Sequence, residues 1–168
     1  IVGTPTTLNP PYLFEDSSLI KIGNTWYYSF CHNWNVPGGQ AFRNADIGYM
    51  TSSNPLGPYT YQGVVLRNPG VYFGCYGNNH HCMFIEFKGS YHVLYHTRAI
   101  ELRMGTNLNY RSPSIDKCTF SNGKLSCNGS MSGVSQIETL DPFTKVQAET
   151  MSNQSKGVSV TGLYDTVV

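Results

Sequence analysis

Charge is what this sequence most lacks. Charged residues fill 12% of its 168 positions, against roughly 25% in an average soluble domain. The 11 Lys and Arg nearly balance the 10 Asp and Glu, leaving a net charge of +1. That removes the basic footprint expected of a nucleic-acid binder. Disorder is excluded as well, since it needs high charge and few aromatics, and aromatics make up 13% here. No apolar run approaches the ~20 residues of a membrane helix, and no signal-peptide pattern is visible. The chain starts on Ile1 rather than Met, which suggests processing or truncation. Serine-nucleophile, dinucleotide and P-loop signatures are missing; Gly77-Asn78-Asn79-His80-His81 is followed by no Lys-Ser/Thr. No convincing amphipathic helix can be found.

Cys-x-x-Cys is absent too, which argues against a structural zinc site. Five cysteines are present. Cys118 and Cys127 flank a hairpin with Asn122-Gly123 at its tip, so strand pairing can bring their sulfurs into range. Cys75 and Cys82 bracket the Gly-Asn-Asn-His loop and can pair as well, leaving Cys31 over; buried free thiols are the plainer alternative. Few lysines, many Asn, Ser, Thr and Tyr, and candidate bridges favour a secreted, extracellular protein.

What is present is a repeat. Ile20-x-Ile22-x-Asn24-x-Trp26-x-Tyr28-x-Phe30 aligns with Ile85-x-Phe87-x-Gly89-x-Tyr91-x-Val93-x-Tyr95 at an offset of 65. Period-two alternation with β-branched and aromatic residues predicts strands. The first unit turns at Gly23-Asn24, then enters a long loop over Phe30–Ala45 broken by Pro37-Gly38-Gly39. The content of that loop, His32, Asn33, Trp34 and Asn35, suits a binding surface better than a core. Strands follow at Asp46–Ser53 and from Tyr59, then the second unit repeats the plan to Cys127. Four-stranded repeats of this length read as propeller blades; a plain β-sandwich is the competing reading. Two blades cannot close a ring, which implies a larger propeller whose earlier blades lie in a missing segment or a second polypeptide. After Leu140-Asp141-Pro142 the character changes, so we expect propeller blades over 1–144 and the beginning of another module over 145–168.

The same offset carries Glu15 onto His80, placing both near one axis. Tyr12 and Phe14 beside Glu15 would desolvate its carboxyl and suit it to general-acid work; a surface Glu at a strand entry is the bland reading. His80 and His81 are adjacent, so on a strand only one can reach the axis. A lone His is more often a hydrogen-bonder than a ligand, but an axial His beside a hydrated cation is open. Arg111 can hold a hydroxyl or carboxylate, or be a solvated Arg. Tyr12, Trp34, Tyr72, Phe73 and Tyr76 can stack on sugars or belong to the core.

Three stretches resemble glycoside hydrolase family 43. Phe14–Leu19 running to Phe30 is similar to its general-acid segment. Ile47–Pro58 is similar to a later strand and turn, and Gly77–His81 to its axial-histidine loop. The nearest likeness is to the arabinoxylan arabinofuranohydrolase type. Val146–Met151 resembles the opening of a family 6 carbohydrate-binding module, a β-sandwich. The resemblance implies an all-β chain: the later blades of a five-bladed β-propeller, then the start of that module. It implies an inverting hydrolase removing arabinofuranosyl side chains from arabinoxylan or a related plant polysaccharide. A β-xylosidase, an arabinanase or a non-catalytic sugar-binding propeller are the alternatives. It makes Glu15 the general acid and His80 the axial ligand of a calcium ion. Asn78, Arg111 and Trp34 would line the sugar subsite. The family's base and pKa-modulating aspartates have no match here, so the chain supplies the acid without the base.

Overall fold

The computed structural model describes residues 3–77 and 80–135. The chain divides into two units, Ile1–Ser135 and Gln136–Val168. The expected module over 145–168 and the subsite candidate Asn78 lie outside the described residues.

Among the described residues, alternating polar and apolar residues make eight strands. They are β1 (Leu13–Ile22), β2 (Thr25–His32), β3 (Ile47–Ser52), β4 (Thr60–Leu66), β5 (Cys82–Phe87), β6 (Ser90–Thr97), β7 (Ser112–Ser121) and β8 (Lys124–Cys127). They form two antiparallel sheets in the orders β1-β2-β3-β4 and β5-β6-β7-β8. Each sheet is a meander of consecutive strands, as a propeller blade is. β1 lies against β5, and β4 against β8. The 65-residue displacement is structural: β6 repeats β2 at both ends, and β7 starts 65 residues after β3. The two loops between those strands therefore match in length, and equivalent positions return to the same rim.

The tight turns follow from their residues. Asn122 and Gly123 take φ +51° and +73°, as do Lys88 and Gly89 at +49° and +70°, the left-handed pair of a two-residue hairpin loop. One hydrophobic cluster spans both sheets and includes Tyr27, Ile47, Tyr49, Leu66, Phe84, Val93 and Tyr95. Each large apolar side chain so buried contributes about 1.5–3 kcal/mol. Tyr27 crosses between blades: its hydroxyl donates to the Gly123 carbonyl at 2.8 Å, and its ring meets Phe120 edge-on.

Among the described residues there are also two five-residue helices, α1 (Pro69–Phe73) and α2 (Ala99–Arg103), each too short for an amphipathic face. Asn68 caps α1 by accepting the Gly70 N–H, with Pro69 at the first helical position, the pairing a helix start favours. Two expectations are corrected. His32 does not face a binding surface. It is fully buried, stacked on Phe42, and its ring nitrogens meet the Pro11 carbonyl and the Tyr61 hydroxyl at 2.9 and 3.1 Å. Cys75 and Cys82 do not pair; with Cys31 they are buried free thiols. Cys118 and Cys127 are bridged, their Cα atoms 4.5 Å apart, the spacing of directly opposed residues in a non-hydrogen-bonded pair.

Candidate active site

The register brings one end of four strands together. Glu15 pairs with Cys31, Cys82 with Tyr95, and Thr97 with Ser112. The openings of β1, β5 and β7 and the close of β6 thus share a rim. A cleft of about 460 Å3 lies there, lined among others by Asp16, His81, His96 and Arg111.

Glu15 stands at its edge. The Glu15 Oε1 and His81 Nε2 are 2.8 Å apart, both side chains partly exposed. The His81 N–H donates to His96 Nε2 at 3.3 Å. That ring nitrogen therefore carries no proton, and the imidazole is neutral. Burial, then the nearby Arg111 guanidinium, then His81 push the His96 pKa down to about 4. Asp16, next to Glu15 and lining the same cleft, accepts the Cys82 N–H at 2.5 Å. Burial raises its pKa, against the lowering pull of that bond and of His81.

His80 is wholly buried, edge-on to Tyr95. Neither ring nitrogen has a hydrogen-bond partner among the described residues, and burial pushes its pKa down to about 3. Among the described residues no group of three or more His, Cys, Asp or Glu is placed to enclose a metal.

The structure thus sets Glu15, through His81, beside the cleft that Arg111 lines, while His80 is buried against Tyr95. Trp34 is half-buried and packs against the hydrophobic core, and it is not among the cleft-lining residues. The expected aromatic cover over Glu15 is absent. Tyr12 and Phe14 are each 44% exposed, and Tyr12 leans on Phe42 instead. Tyr72 and Phe73 pack against the core, while Tyr76 stays exposed with the Arg98 guanidinium over its ring at 4.6 Å. Sequence reasoning missed His81, His96 and Asp16. The doubled histidine carried the signal for His81: just before β5 one ring is buried and the next lines the cleft. His96 comes from a distant strand and had none.

The remaining aspartates among the described residues are occupied elsewhere. Asp46 accepts from the Arg43 and Asn68 N–H groups and from Arg67. Asp116 accepts from the Tyr95 hydroxyl and from Ser130.

No protein-family model matches the chain. An arabinoxylan arabinofuranohydrolase of Paenibacillus polymyxa is 41% identical over 158 residues, covering 92% of this chain and 25% of its own. A glycoside hydrolase family 43 arabinoxylan arabinofuranohydrolase from Bacillus subtilis, solved with cellotetraose, superposes with a TM-score of 0.80 at 39% identity. That match covers 88% of this chain and 31% of the other. A family 43 β-xylosidase/α-arabinofuranosidase from a compost metagenome, solved with xylotriose in a calcium-free form, gives a TM-score of 0.52 at 25% identity, over 69% and 30% of the two chains. This chain therefore spans about a quarter to a third of the proteins it matches.

Proposed function

We propose that this chain, which belongs to glycoside hydrolase family 43, supplies the general acid of an inverting arabinofuranosidase acting on arabinoxylan. The observation that carries the reading is the placement of Glu15. Its carboxyl stands on the first strand of one sheet, held at 2.8 Å by His81 just before the other, beside the cleft that Arg111 lines.

Cleavage needs a proton on the oxygen that leaves with the xylan backbone, and Glu15 donates it. Arg111, with five fixed N–H donors, binds sugar hydroxyls and orients the arabinose. Inversion also needs a carboxylate about 6.5–9.5 Å away to activate water on the far side of the sugar. Asp46 and Asp116 are buried in their own hydrogen bonds, and Asp16 is the immediate neighbour of the acid. In this reading the base comes from outside the described residues, and a missing segment or a second polypeptide would carry it.

His80 suits one position on a cation, being buried with two unpartnered nitrogens. Calcium takes six to eight oxygen ligands, and the described residues offer no such cage. His80 would thus be one ligand of a hydrated calcium held otherwise by water or by other parts of the protein, and the ion would add fixed positive charge near the axis. Asn78 completes the sugar subsite in this reading. The Cys118–Cys127 bridge and the polymeric substrate support a secreted, extracellular enzyme, and residues 145–168 would open its carbohydrate-binding module.

The test is Glu15→Ala in the complete protein. Loss of arabinose release by about 10²–10⁴-fold, with polysaccharide binding retained, is expected; unchanged hydrolysis would sink the assignment. Chromatography of the released sugar separates this reading from a xylosidase, which would liberate xylose.

A further inference from the structure

Glu15 does not sit on a regular pleat. β1 loses register with β2 on both sides of it, between Leu13 and Glu15 and between Glu15 and Ser18. In a regular strand, alternation alone fixes which way a side chain points; at a bulge it does not. The next residue, Asp16, takes φ +61°, a left-handed backbone that Asp and Asn tolerate better than most residues with a Cβ.

What holds that bulge comes from the neighbouring blade. Asp16 Oδ2 accepts the N–H of Cys82, the first residue of β5, at 2.5 Å. Two residues on, Ser18 Oγ accepts the Phe84 N–H at 3.5 Å. Side-chain oxygens of β1 thus meet alternate N–H groups of β5, as backbone carbonyls would inside a sheet. The Asp16 bond is the shorter of the two and lies one residue from the carboxyl at the cleft.

We propose that Asp16 is a positioning residue for the acid: its left-handed backbone and its bond to the Cys82 N–H aim the Glu15 carboxyl at the leaving oxygen. The proposal rests on Glu15 being that acid. It assigns Asp16 no proton transfer.

The complete protein is assayed on two substrates. Arabinoxylan releases a sugar alkoxide and needs full protonation. 4-Nitrophenyl α-L-arabinofuranoside releases a phenolate and needs little. Asp16→Gly keeps the left-handed backbone and loses the acceptor, so it is the variant least prone to misfold. Asp16→Ala loses both. Each should lower kcat on arabinoxylan by about 10–100-fold, the scale of a misplacement near 1 Å. Turnover of the nitrophenyl substrate should stay within about 3-fold of wild type, since the acid contributes little there. Asp16→Asn retains a carbonyl acceptor and should restore most of the arabinoxylan rate. Equal losses on both substrates, no loss in Asp16→Gly, or no rescue by Asn would each overturn the proposal. Glu15→Gln is run alongside. Without a split between substrates in Glu15→Gln, the acid reading itself fails; a split there but none at Asp16 defeats only the positioning role.

Discussion

Gly48 shows how tightly single residues are set in this molecule. It lies on β3, and a Cβ there would overlap the His32 ring and crowd Tyr61 at 3.1 Å. His32 cannot retreat, being fully buried, stacked on Phe42 and bonded at both nitrogens. Gly48→Ala should therefore cost about 1–3 kcal/mol by overpacking, read as a lower urea midpoint with an unchanged m-value. His32 also makes stability depend on pH. Burial lowers its folded pKa from the ordinary 6.5, partly opposed by the Pro11 carbonyl. His96 is lowered in the same direction, to about 4. The unfolded chain then takes up protons that the folded one refuses, so stability is full above about pH 6.5 and declines as the pH falls toward 4. Urea midpoints at pH 7.5 and pH 5 should differ, the lower at pH 5; equal midpoints would contradict the burial of these rings. None of this was legible in the sequence. His32 sits beside Asn33 and Trp34 in a polar-looking loop, and its partners Phe42 and Tyr61 come from elsewhere in the chain.

Elements were far easier to read. Alternation located β1, β2, β5 and β6, and Asn122-Gly123 located the turn between β7 and β8, because strand period and turn chemistry are local properties. The short helices escaped, since one turn of five residues leaves no periodic signal to detect. The cysteine pattern was half legible. Spacing across a hairpin offered Cys118 and Cys127 to each other, while Cys75 and Cys82 looked equally pairable until the intervening backbone was placed. The bridge closes a loop with a sequence separation of 9, and a closed loop of that size stabilises by about 2–3 kcal/mol in the chain-entropy treatment. Cys118→Ser with Cys127→Ser should lower unfolding stability by that order in equilibrium denaturation. A thiol titration in denaturant should count three free thiols before reduction and five after. Five without reductant would show that the hairpin is open.

At the scale of the whole molecule, the proposed reading puts the acid on these two blades and the base outside the described residues. Glu15 is poised at the cleft, but the described aspartates other than its neighbour Asp16 are committed to Arg67, Asn68, Tyr95 and Ser130. On the proposed reading, these 168 residues alone should release no measurable arabinose from arabinoxylan, while the complete protein should. Sugar analysis after prolonged incubation checks this. Arabinose released by the isolated chain at a rate near that of the complete protein would mean that the base lies within it.

The sequence by itself determined the strands, their turns and the 65-residue repeat. Those follow from alternation and local backbone preference, which neighbours along the chain settle. The tertiary structure alone decided which ring faces the cleft, which cysteines bridge, that His32 is core, and that Asp16 braces the bulge beside Glu15. Each of those depends on which residue of a distant strand stands opposite, and register between strands is set by packing and turn geometry across the fold.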